Sequence, residues 1–127
     1  MRRPRRDDPC DLLPPWLRGA VPPLGATESQ GGDALAWARI YAPWAGWTWY
    51  ILEFDGQDTC FGLVAGLETE LGYFSLSELE RLRGPGGIRA ERDIYFTPTP
   101  LRQLPECPRW LREAPPKAAH GDAQRLI

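Results

Sequence analysis

The spacing of apolar and polar positions changes period along this chain, and the changes divide it into elements. Residues 34–41, ALAWARIY, end in β-branched and aromatic residues and predict a first strand. After a turn at Pro43 and Gly46, residues 47–54, WTWYILEF, predict a second strand. Strict alternation puts Trp47, Trp49, Ile51 and Glu53 on one face of it and Thr48, Tyr50, Leu52 and Phe54 on the other. Both faces are apolar, which predicts a central strand covered on both sides, with Glu53 reaching water.

Asp55-Gly56 behind that strand is a hairpin signal, because these residues tolerate positive φ. The loop DGQD leads to a returning strand at 59–66, where Gly62 and Gly66 predict a bulge or the close approach of other backbone. A short acidic turn and the segment 71–75, LGYFS, complete a meander. The period then becomes helical: Leu76, Leu79 and Leu82 make a stripe, Ser75 with Glu78 or Ser77 with Glu80 offers a capping box, and Gly84-Pro85 stops a short helix near residue 83. A loop and a last strand at 93–96, DIYF, follow. The fold class expected is α+β, a small antiparallel β-meander of four to five strands with one or two short helices.

The flanks read differently. Residues 1–11 join Arg2, Arg3, Arg5 and Arg6 to Asp7, Asp8 and Asp11 around two prolines, which predicts a mobile basic and acidic arm. Residues 12–104 are expected to form the single domain. It begins with one helical turn in which Pro15 takes a first position and Trp16 and Leu17 anchor. Residues 105–127 are expected to be a proline-rich, mostly disordered tail with one turn around Trp110.

A chain of 127 residues supports one core. The arginines at the N-terminus have no apolar run behind them, and no run approaches the length of about 20 residues that spans a bilayer, so a cytoplasmic location is expected. Cys10, Cys60 and Cys107 are odd in number and widely spaced, which fits free thiols, Cys60 as a buried small hydrophobe. The one histidine, His120, leaves little material for a His-based zinc site or a Ser-His-Asp triad. Net charge is −2, but between Glu28 and Glu80 nine acidic residues face one basic residue, Arg39. That window of −8 leaves +6 for the rest of the chain, a segregation that implies a partner or ion of opposite sign.

Candidate chemistry gathers in the acidic window. Asp55, Asp58, Glu68 and Glu70, rimmed by Trp44 and Trp47, are the candidate surface for a basic protein. Glu53, Asp55 and Asp58 are the candidate ligands if a divalent cation binds, although the calcium-loop spacing is absent. No other cofactor is implied. Against both stands the plain reading in which Asp55 serves the turn, Asp58 caps the loop and Glu53 faces water. The two ends of a meander strand also separate Asp55 and Asp58 from Glu68 and Glu70. Trp37, Trp44, Trp47 and Trp49 could stack bases, but the negative window repels phosphate. Arg83 and Arg92, flanking Gly84-Pro85-Gly86-Gly87 with Arg89, are weaker candidates for holding a phosphate, with a structural role as the simpler reading.

Taken together, Trp47-Thr48-Trp49-Tyr50, Glu53-Phe54-Asp55-Gly56, Phe61-Gly62-Leu63-Val64, Glu70-Leu71-Gly72-Tyr73-Phe74-Ser75, Arg83-Gly84-Pro85 and Glu91-Arg92-Asp93 resemble, over about residues 12–104, the bacterial family catalogued as domain of unknown function 2958. The resemblance brings no catalytic residues. It implies a context: accessory proteins of plasmids and other mobile genetic elements, alongside anti-restriction and DNA-processing proteins. The function expected is a non-enzymatic interaction protein with an anti-defence role, binding a basic protein surface through its acidic face and not a membrane. The alternatives are a divalent-cation-dependent enzyme acting on nucleic acid through the hairpin carboxylates, and weak DNA contact by the arginine arm.

Overall fold

The computed structural model describes residues 8–116 and the backbone of Gln124–Arg125. The segments 1–7, 117–123 and 126–127 lie outside the described residues, and with them the four arginines of the arm and His120.

The predicted meander forms. Strands β2 (Ala38–Ala42), β3 (Trp47–Phe54), β4 (Thr59–Ala65) and β5 (Thr69–Ser75) pair antiparallel in sequence order. The two-residue β6 (Glu91–Arg92) adds beyond β2, and β8 (Gln124–Arg125) lies parallel to β5. A separate two-stranded ribbon joins β1 (Leu35–Ala36) to β7 (Thr99–Pro100). Helix α1 (Pro15–Arg18), α2 (Leu76–Arg81) and α3 (Arg109–Arg112) are each one or two turns. The fold is α+β with a mostly antiparallel sheet, as expected. Among the described residues no helix is long and apolar enough to cross a membrane.

β3 sits third in the sheet and is buried along nearly its whole length, because both of its faces carry cores. On one side Ile40, Trp49, Ile51 and Val64 pack under Leu12, Leu13 and Leu17 and under Leu76 and Leu79 of α2. On the other side Tyr50, Leu52, Leu63 and Leu71 pack under Leu101, Leu104, Cys107 and Leu111. Each such side chain, taken fully out of water, contributes roughly 1.5–3 kcal/mol.

Three boundaries differ from expectation. The folded region extends past residue 104. Leu111 of α3 is fully buried, and Arg112 donates to the carbonyls of Arg102, Leu104 and Cys107 while Arg102 returns a bond to Arg112 O. The anchor of this turn is Leu111, and Trp110 is half exposed. Residues 93–96 are no strand: Asp93 accepts from Tyr95 N–H in a turn, and the pairing with β2 falls at Glu91 and Arg92. At the N-terminus, Arg92 ties down residues 8–11, with its backbone N–H donating to Pro9 O and its Nε to Asp11 O.

The alternation along β3 also breaks. Its register with β4 slips between Ile51 and Glu53, a bulge that carries Phe54 onto the same core as Trp49 and Ile51. Gly62 stands opposite, and a Cβ there would lie 1.7 Å from Tyr50 O, so the bulge needs glycine. Gly62→Ala should lower stability in urea by about 3 kcal/mol. Leu111→Ala should cost about 2–5 kcal/mol; a loss under about 0.5 kcal/mol would restore the reading of residues 105–116 as a tail.

Candidate functional site

The bulge decides the fate of the first candidate carboxylate. Glu53 does not face water: it is 2% exposed and accepts hydrogen bonds from Gly25 N–H at 2.7 Å, Thr27 N–H at 2.9 Å and the Thr27 hydroxyl. Phe54 N–H donates to Pro22 O beside it. Three donors satisfy a buried carboxylate that would otherwise be costly to desolvate. Glu53 is a brace that fastens the loop at 22–27 to the end of β3.

Asp55 and Asp58 stand beyond it in the hairpin loop. Asp55 Oδ1 accepts the N–H groups of Gln57, Asp58 and Thr59 at 2.8–3.0 Å, and these hold its carboxyl below the ordinary aspartate range. It serves the turn, as the plain reading had it. Asp58 caps α2 and not its own loop. It takes the Ser75 hydroxyl at 2.6 Å and Ser77 N–H at 2.7 Å, while Ser75 Oγ receives Glu78 N–H as the helix N-cap. The Ser75 hydroxyl first, and then Ser77, depress the Asp58 pKa against partial burial. The three carboxylates thus serve three separate donor sets, and their convergence on one cation is not seen. Among the described residues no group of three or more His, Cys, Asp or Glu is placed to hold a metal ion.

The arginines likewise have structural partners. Arg83 Nη1 donates to Glu80 O and Leu82 O, closing the C-terminal end of α2. Arg92 is buried, with its guanidinium toward the carbonyls of Asp11 and Asp8 and over the Trp16 ring. Both guanidinium groups are engaged with backbone carbonyls, the role that the simpler reading gives them. The buried thiols are also quiet: desolvation, with the nearby charges of Asp58 and Asp55, pushes Cys60 up to about 12, and desolvation raises Cys107.

At the opposite end of β4, about 20 Å away by strand rise, the arrangement is different. Gly66 N–H bonds Glu68 O across a tight turn whose tip, Leu67, is 94% exposed. The Trp47 ring lies so close over Gly66 that its outer carbons are 2.5 Å from where a Cβ would stand. Glu70 pairs with Val64 at the margin of the same core that Trp47 covers, and Glu68 stands exposed in the turn that leads into β5. Neither carboxylate has an ion-pair or hydrogen-bond partner among the described residues. Trp44 is half-buried against Gly84 in the same core, a packing residue more than a rim. The predicted surface set therefore separates. Trp47, Glu68 and Glu70 come together, and Asp55 and Asp58 lie apart from them. Exposed Leu67 was not anticipated; its signal was an apolar residue between Gly66 and two acids in a turn. Glu78 and Glu80, on α2, also lack ion-pair partners, and Glu78 and Arg81 border a cavity of about 330 Å³ with Tyr73, Ser75 and Asp58.

The family described as protein of unknown function DUF2958 matches residues 22–114. The chain belongs to that family. The match runs through the end of α3, in agreement with the burial of Cys107 and Leu111. No curated protein and no solved structure matches the chain.

Glu53→Gln keeps the shape but turns an amide donor toward donors, and should cost about 2 kcal/mol in urea unfolding. Asp55 and Asp58 have depressed folded pKa values, so their stabilisation is complete above the unfolded aspartate pKa of about 3.9 and is lost as the pH falls through the folded values. Asp58→Asn should flatten the acid limb of stability below about pH 4. An unchanged slope there would contradict the capping role.

Proposed function

We propose that this member of the family is a cytoplasmic, non-enzymatic binding protein that meets a basic protein surface with the turn end of its sheet. Trp47, Leu67, Glu68 and Glu70 form the contact. The observation that carries this reading is the division of the acidic residues. Glu53, Asp55 and Asp58 are consumed by backbone and hydroxyl donors, whereas Glu68 and Glu70 are unpaired beside an exposed leucine and a half-buried tryptophan. Unpaired carboxylates around an apolar centre suit a partner carrying lysine or arginine around an apolar anchor.

In this reading the partner is a nucleic-acid-binding defence protein met by a mobile genetic element, and the carboxylates stand in for phosphates. The charge segregation supports it, since a surface that repels DNA attracts the basic groove of a protein that binds DNA. The cation-dependent enzyme has less support, because its three carboxylates point to different donors.

The test is capture of host proteins on the immobilised chain at rising salt, with Glu68→Lys/Glu70→Lys and Asp55→Asn/Asp58→Asn compared. Capture of a basic protein that weakens with salt and is lost about tenfold in the first variant only is the expected result. Equal capture by all three proteins would overturn the assignment.

A further inference from the structure

The outer edge of β5 carries an observation that the turn does not use. All seven residues of this strand pair with β4 on the inner side. On the outer side, among the described residues, only Gly72 and Tyr73 have strand partners, Gln124 and Arg125, in parallel. The rest of an edge strand offers its N–H and C=O groups outward as a template for another extended segment. Beside this edge lies the cavity of about 330 Å³, with Tyr73 and Ser75 on the strand side and Ser77, Glu78 and Arg81 on the α2 side.

We propose that the β5 edge and the flank of α2 form a strand-accepting groove for an extended basic segment of the partner, and that Gln124–Arg125 of the chain itself fills part of it. The groove deepens the acidic-surface reading and rests on it. Main-chain pairing supplies the affinity in strand addition, and the side chains beside the edge choose the sequence. Here Glu68 and Glu70 lead into the edge and Glu78 and Glu80 stand on α2, all without ion-pair partners among the described residues, against Arg81 as the cation bordering the cavity. The resident segment shows what the edge accepts: an extended stretch whose arginine falls opposite Tyr73. It pairs at Gly72 and Tyr73, so a partner segment laid along the same edge competes with it there. Its displacement makes the C-terminal residues an internal competitor that weakens loose binders.

The experiment uses the full chain and a labelled peptide of residues 121–127, Gly-Asp-Ala-Gln-Arg-Leu-Ile. In the variant Gln124→Pro/Arg125→Pro the resident segment loses its N–H donors. The peptide should bind this variant saturably and the unaltered chain about tenfold or more weakly, because the tethered segment competes there. Amide exchange at whichever of Gly72 and Tyr73 turns its N–H to the outer edge should quicken in the proline variant and slow again when peptide is added. Adding Glu70→Lys/Glu78→Lys to that variant should weaken the peptide about fivefold, the size of one surface ion pair. Equal binding to both chains, no binding to either, or indifference to the charge reversal would each overturn the proposal. Loss of peptide binding with Glu68-dependent capture intact would remove the groove and leave the acidic turn standing. Peptide binding without any salt-dependent capture would do the reverse.

Discussion

The slip in register between Ile51 and Glu53 is the constraint on which the rest of this molecule depends. One extra residue in β3 carries Phe54 into the core that holds Trp49 and Ile51, and fixes Glu53 in the loop at 25–27. Without it, strict alternation would send Phe54 to the opposite face from Trp49 and Ile51. The bulge is possible because Gly62 has no Cβ where Tyr50 O passes. A glycine, a carboxylate and a loop of the N-terminal layer are therefore one device. It closes the end of the sheet where the hairpin begins.

That closure explains why the acidic residues do not behave as one group. At the hairpin end each carboxylate meets donors that folding would otherwise leave unsatisfied: loop amides for Glu53, turn amides for Asp55, the first turn of α2 for Asp58. Such bonds are charge-assisted and strong for their number. At the other end of β4 the turn closes on itself, Gly66 N–H bonding Glu68 O, and neither acidic side chain takes up a donor among the described residues. Glu68 is exposed and Glu70 half-buried, both without an ion-pair partner among the described residues, and like charges left unpaired in a window of −8 oppose folding slightly. They have no structural partner among the described residues, which is why the proposed partner surface is placed at them.

Much of the fold was legible in the sequence because the signals were local. Residues 47–54 announce a two-sided strand by their apolar faces, Ser75 and Glu78 announce a cap by their spacing, and Asp55-Gly56 announces a turn. The separation of Asp58 from Glu70 also followed from meander geometry. What stayed hidden depended on distant contacts. No local pattern says that Leu111, in a segment rich in proline and arginine, is held by reciprocal bonds of Arg102 and Arg112. Glu53 is similar: strict alternation put it in water, and Gly62 signalled a bulge without saying which side chain it would turn. Asp93 resembled a strand start, but its carboxylate bonds Tyr95 N–H and turns the chain away.

The division between carboxylates that fold the chain and the carboxylates proposed to meet a partner is open to one direct comparison. Urea unfolding of Glu53→Gln, Asp58→Asn and Glu68→Lys/Glu70→Lys at neutral pH and low salt places all of them on one scale. The first two should lose stability, and the double reversal should stay within about 0.5 kcal/mol of the unaltered chain or gain slightly as repulsion is relieved. A double reversal that unfolds as readily as Glu53→Gln would show that Glu68 and Glu70 hold the fold, and would contradict their assignment to a partner.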